Sequence, residues 1–192
     1  MEALLVSVGV VALAEIGDKT QLLAILLAAR FRARLSVVLG ILAATVANHL
    51  LAATLGTLVG DWLTPDVLRA ILVVSFLAMA AWTMMPDRLD GPPKLFDRFG
   101  AFGATAISFF LIEMGDKTQV ATVALAARYH SIALVAAGTT LGMMIADVPA
   151  VFVGDIVAKK IPLKLVHAVA AAVFLLLAFA LMLDYFRRFI YA

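Results

Sequence analysis

A seven-residue string, Glu-x-Gly-Asp-Lys-Thr-Gln, occurs twice in this chain, as EIGDKTQ from Glu15 to Gln21 and EMGDKTQ from Glu113 to Gln119, each time inside a long apolar stretch. A charge at the centre of a membrane-spanning helix opposes insertion by roughly 2.5 to 3.5 kcal/mol. The surroundings nevertheless suit a membrane better than water. Of the 192 residues, 65% are hydrophobic and 15% charged, against about half and about a quarter in soluble domains. At about 20 to 25 residues per span, six apolar stretches use nearly the whole sequence. No length remains for a separate nucleotide-binding or catalytic domain, which excludes an ATP-driven pump built from this chain alone. With no cysteine present, disulfides, thiolate metal sites and cysteine nucleophiles are excluded too.

The fold expected is all-α: a polytopic membrane protein with six transmembrane helices. Spans are predicted near Ala3 to Ala29, Ser36 to Val59, Val67 to Met85, Gly100 to Ala127, Ile132 to Val153 and Leu163 to Leu183. Met1-Glu2 begins acidic and no small-residue cleavage site interrupts the first apolar run, so that run reads as a retained span and not a secretory signal. The stretch PDRLDGPPKLFDR, Pro86 to Arg98, is too dense in proline, glycine and charge to cross a bilayer. It divides the chain into a first three-helix repeat over 1–85, a cytoplasmic connector over 86–99 and a second three-helix repeat over 100–192. A shift of 98 residues aligns the two motifs, pairs LAAR at Leu27 to Arg30 with LAAR at Leu125 to Arg128, and pairs Gly40 with Gly138 and Gly56 with Gly154. An odd number of spans per repeat inverts the second copy relative to the first. Inverted repeats place a substrate site near the bilayer midplane where the copies meet.

Charge in the connectors predicts the orientation. Nine basic residues (Arg30, Arg32, Arg34, Arg88, Lys94, Arg98, Lys159, Lys160, Lys164) fall on one side and four (Arg69, Arg128, Arg187, Arg188) on the other. The positive-inside rule then puts the central connector in the cytoplasm and both termini outside. The expected location is a bacterial inner (plasma) membrane. Basic residues used in this way set topology and do not imply nucleic-acid binding.

On a continuous helix, Glu15 and Asp18 share a face about 4.5 Å apart along the axis, as do Glu113 and Asp116. Antiparallel packing of the two helices would gather four carboxylates. Thr20, Gln21, Thr118 and Gln119 add neutral oxygens, while Gly17 and Gly115 permit close approach or a local break. An anionic, oxygen-rich and sulfur-free donor set suits hard divalent cations such as Mn²⁺, Ca²⁺ or Mg²⁺, disfavours Cu⁺ and makes Zn²⁺ a weaker fit. With Lys19 and Lys117 as counter-charges the motifs sum to a formal −2. One divalent cation or two protons neutralise that charge equally, as an exchanger requires. A purely structural Glu15–Lys19 ion pair would leave Asp18 and Asp116 without a purpose.

The doubled Glu-x-Gly-Asp-Lys/Arg-Ser/Thr signature, in the first and fourth of six spans, resembles that of the calcium/manganese cation–proton exchanger family, which includes Golgi members and bacterial manganese exporters and is similar to the lysine-exporter superfamily. The resemblance covers the whole chain. It implies a carrier that moves Mn²⁺ or Ca²⁺ out of the cytosol against protons, with Glu15, Asp18, Glu113 and Asp116 as the cation ligands, the cation being substrate and no cofactor being needed.

Asn48 and Asp147 fall at nearly matched places in spans two and five, and Asp147 is an intramembrane acid expected either in the ion or proton path or in helix packing. His49 reads as a packing residue or a proton relay. An exporter of a small cationic metabolite such as a basic amino acid, and a passive cation channel, are alternative functions that this composition permits. Intramembrane enzyme chemistry is not expected, since the motifs contain no Ser/His or His-x-x-x-His arrangement. The sequence leaves both a monomer and a homo-oligomer open.

Overall fold

In the computed structural model, the described residues are 1–85, 98–154 and 163–191. The connector over 86–99 therefore lies mostly outside them, as do Arg88, Lys94, Lys159 and Lys160 of the orientation count. Eight helices form among the described residues: α1 (Glu2–Glu15), α2 (Lys19–Phe31), α3 (Arg34–Trp62), α4 (Pro65–Thr83), α5 (Gly100–Glu113), α6 (Lys117–Tyr129), α7 (Ile132–Val153) and α8 (Leu163–Tyr191).

The expected first and fourth spans are each broken into two short helices, which corrects the picture of one continuous helix carrying Glu and Asp on a common face. The break follows from the motif itself. Glu15 ends α1, Ile16 is extended, and Gly17 takes φ 84°, a left-handed conformation that only glycine adopts without a steric penalty. Asp18 is again extended and caps α2, its Oδ1 accepting the Lys19 N–H at 2.7 Å. The second copy repeats the pattern, with Met114 extended, Gly115 at φ 79° and Asp116 extended at the start of α6.

Four helices are long and apolar enough to cross a membrane: α3, α4, α7 and the part of α8 from Lys164 to Asp184. The pieces α1, α2, α5 and α6 have 13 or 14 residues each, about 20 Å of helix against a hydrocarbon core of about 30 Å. Leu55, Ile145 and Leu176 are more than half exposed on the long helices. Such side chains make a lipid-compatible exterior.

Glycine sets the close crossings. A Cβ on Gly138 of α7 would lie 2.6 Å from the Leu4 carbonyl oxygen of α1, and one on Gly40 of α3 would lie 2.8 Å from the Phe102 carbonyl oxygen of α5. These equivalent positions pack each half's first helix against the other half's long helix. The α3 contact with α6 is tighter still, since a Cβ on Gly56 would stand 2.2 Å from the Val123 carbonyl oxygen. A Cβ on Gly154, the counterpart of Gly56, would meet nothing within 4 Å among the described residues. There a cavity of about 360 Å³ lies between α2 and the end of α7, lined by Ala28, Ala29, Arg34, Phe152 and Gly154 among others. Helices α4 and α8 join through Phe76 and Phe174, whose rings stack with centroids 6.3 Å apart.

Candidate cation site

The acids that flank both breaks, Glu15, Asp18, Glu113 and Asp116, are buried, and the two breaks face each other through their charged residues. The Lys19 ammonium contacts Asp116 Oδ1 at 2.5 Å, and the Lys117 ammonium contacts Asp18 Oδ2 at 3.1 Å. Each lysine thus pairs with the aspartate of the other copy. Lys follows Asp directly in the motif and Asp18 caps the very helix that Lys19 begins, while each lysine's ammonium reaches across to the aspartate of the opposite copy. The i,i+4 Glu15–Lys19 pair considered from sequence does not form. The crossed pairs are chemically alike but differ in access, because the Lys117 side chain is 0% exposed and that of Lys19 22%.

The glutamates are held differently. The Thr20 hydroxyl donates to Glu15 Oε1, and the Thr118 hydroxyl donates to Glu113 Oε1. Glu15 Oε2, Glu113 Oε2 and Asp116 Oδ2 are buried and have no hydrogen-bond partner among the described residues. Gln21 and Gln119, expected to offer neutral oxygens, use those oxygens on the breaks: Gln21 Oε1 accepts the Gly17 N–H at 3.0 Å and Gln119 Oε1 accepts the Gly115 N–H at 2.6 Å. Gln21 Nε2 also donates to the Ala146 carbonyl of α7 at 3.0 Å. The threonines therefore orient the acids, and the glutamines stabilise the non-helical backbone between half-helices, whose open N–H groups would otherwise lie unsatisfied away from water.

Asn48 is fully buried on α3 and donates from Nδ2 to the Phe110 carbonyl of α5 at 3.1 Å, close to the second break. Asp147 is fully buried on α7, and neither carboxyl oxygen has a hydrogen-bond partner among the described residues. His49 is buried too, its Nδ1 3.5 Å from the Thr140 hydroxyl. Among the described residues, no three His, Asp or Glu side chains stand close enough together to hold a metal ion in this arrangement. Sequence reasoning found the charged residues but missed the crossed pairing and the second contact of Gln21. It also passed over His130, whose Nδ1 lies 3.1 Å from Asp61 Oδ1 and links the ends of α6 and α3. No signal internal to either motif names those partners.

A fully buried set of carboxylates facing ammonium groups is chemistry for binding and releasing a cation. Comparison with known proteins points the same way. The pattern defining the family "Divalent cation/proton antiporter GDT1" matches residues 3–91 and 101–188. A Vibrio cholerae protein named "Putative manganese exporter" is 52% identical over 94% of this chain and 90% of its own length. A Synechocystis protein named "GDT1-like protein sll0615" is 31% identical over 88% of this chain and 90% of its own, and the rice "GDT1-like protein 3" is 29% identical over 91% and 71%. No solved structure matches the chain. With its two matched segments covering nearly all of its length and both motifs intact, the chain belongs to the GDT1 family of divalent cation/proton antiporters.

Proposed function

We propose that this protein exports Mn²⁺, Ca²⁺ or both from the cytosol in exchange for protons, through a midplane site formed by Glu15, Asp18, Glu113 and Asp116. In this reading the chain makes six spans, as two inverted three-helix repeats over 1–85 and 100–192. The broken first and fourth spans meet at mid-membrane, the central connector is cytoplasmic, and the termini are outside a bacterial plasma membrane.

The observation that carries the proposal is the pair of crossed ion pairs Lys19–Asp116 and Lys117–Asp18, whose aspartates are both buried. A buried carboxylate is costly unless compensated. The lysines supply that compensation when no cation is bound. An arriving divalent cation replaces the ammonium groups as the partner of the aspartates, and the half-helices move to bring the acids onto it. Protons arriving from the other side neutralise the acids and release the metal. Non-helical backbone at membrane depth is tolerated where it is buried in protein or lines a cavity, as it is at carrier sites built from broken helices. The cavity beside Arg34, on the side assigned to the cytoplasm, supports entry from that side. A basic metabolite is disfavoured as cargo because the two lysines already stand where its ammonium would bind.

Proteoliposomes containing the purified protein test this reading. Flux of Mn²⁺ or Ca²⁺ should rise when the compartment receiving the metal is made acidic, with proton movement in the opposite direction. Asp18→Asn and Asp116→Asn should each abolish or severely reduce flux while the protein remains inserted. Metal flux indifferent to the proton gradient, or normal flux in either variant, would refute the proposal.

A further inference from the structure

The motif residues leave few carboxylate oxygens open. Both aspartates are engaged by lysines, and each glutamate has one oxygen taken by a threonine. Glu15 Oε2, Glu113 Oε2 and Asp116 Oδ2 remain, together with both oxygens of Asp147. Asp147 is thus the only fully buried acid among the described residues with neither carboxyl oxygen hydrogen-bonded.

Its place is set by α7. The Ala146 carbonyl accepts a hydrogen bond from Gln21, and the same glutamine holds Gly17, so the backbone beside Asp147 is tied to the break between Glu15 and Asp18. Among the described residues, Glu15 at the end of α1 and Glu113 at the end of α5 lie near enough to repel Asp147. Carboxylates gathered in a dehydrated interior oppose folding unless protons or a shared cation neutralise them, and an exchanger alternates between those two states. Packing alone does not account for Asp147, because a packing acid accepts hydrogen bonds from its neighbours.

We infer that Asp147 is a further cation ligand, which joins Glu15 and Glu113 around the divalent ion when the half-helices close. This rests on the transport reading above and changes its donor set: Glu15, Glu113 and Asp147 bind first, and the aspartates join as their lysines withdraw. The set is asymmetric. The shift of 98 residues that relates the two copies puts His49 of α3 opposite Asp147 of α7, so only one copy supplies a fifth carboxylate. The ion is therefore drawn toward α7 and the first break. Three anionic groups with additional carbonyl or water oxygens suit a hard divalent cation over a monovalent one.

The test uses the full-length protein and Mn²⁺ alone as probe, with binding measured by calorimetry in detergent and uptake measured in proteoliposomes. Asp147→Asn keeps the shape and removes the charge. Its Kd and KM for Mn²⁺ should each rise at least tenfold with kcat changed much less, and Asp147→Glu should recover most of the affinity. Wild-type Kd and KM in Asp147→Asn, or a loss confined to kcat, would overturn the assignment. Should the asparagine variant fail to fold, Asp147→Glu decides: a shift of threefold or more in the ratio of KM for Ca²⁺ to KM for Mn²⁺ supports the ligand role, and an unchanged ratio overturns it. The wild type runs alongside. If it transports while Asp147→Asn behaves identically, the ligand assignment alone falls; if the wild type moves no metal, the transport reading falls.

Discussion

Gly56→Ala should unlock the close crossing of α3 and α6. The added Cβ would stand 2.2 Å from the Val123 carbonyl oxygen and 2.9 Å from both the Val123 carbonyl carbon and the Ala126 Cβ, where ordinary contact begins at 3.4 Å. Two of those atoms are backbone, so no side-chain rotation gives relief and α6 has to retreat by about 1.2 Å. Overpacking a core costs typically 1 to 3 kcal/mol, and an immovable backbone puts this case near about 3. Alanine returns about 1 kcal/mol of intrinsic helix preference over glycine. The net expectation is a destabilisation of about 2 kcal/mol. Gly9 is the control, since a Cβ there meets nothing within 4 Å, and Gly9→Ala should be neutral or stabilising by up to about 1 kcal/mol. Reversible unfolding in mixed SDS and detergent micelles would measure both. Because Lys117 begins the helix that must retreat, Gly56→Ala should also lower metal flux. Wild-type stability in Gly56→Ala, or an equal loss in Gly9→Ala, would refute this account of the packing.

Lys117→Met should destabilise the protein by about 3 to 5 kcal/mol, because it removes the buried ammonium that faces the Asp18 carboxylate; adding Asp18→Asn should restore much of that in the same unfolding assay. Lys19→Met should cost less, since the Lys19 side chain is 22% exposed and water reaches its side of the pair. Thr118→Val removes the hydroxyl that holds Glu113; at about 1.5 kcal/mol for a hydrogen bond to a charged group, the KM for Mn²⁺ in proteoliposomes should rise roughly tenfold. Gln21→Leu leaves the Gly17 N–H and the Ala146 carbonyl without their side-chain partner, and unfolding measurements should show a loss of about 1 to 3 kcal/mol.

Much of this protein is legible without a structure. Apolar stretches separated by turn-forming or charged residues located the four long helices to within a few residues, because length and hydropathy are local properties of the chain. The motif recurs at a spacing of 98 residues, and charges set inside apolar runs singled out the acids of the proposed site, since transfer into a membrane is penalised residue by residue. Gly17 and Gly115 carried two readings, close approach or a break, and the length of the apolar stretches around them read as continuous spans. Their positive φ angles decided for the break.

Only the tertiary structure decided who pairs with whom. The lysines cross to the aspartates of the opposite copy, the threonines hold the glutamates, and Gln21 ties the first break to α7. It also separated two glycines that the repeat makes equivalent, packing Gly56 against α6 while a Cβ on Gly154 would meet nothing within 4 Å among the described residues. The physical reason is range. Burial preference and backbone freedom belong to a residue and its immediate neighbours, whereas an ion pair or a close crossing exists only once elements distant in sequence have been brought together, and two copies of one motif can then meet different surroundings.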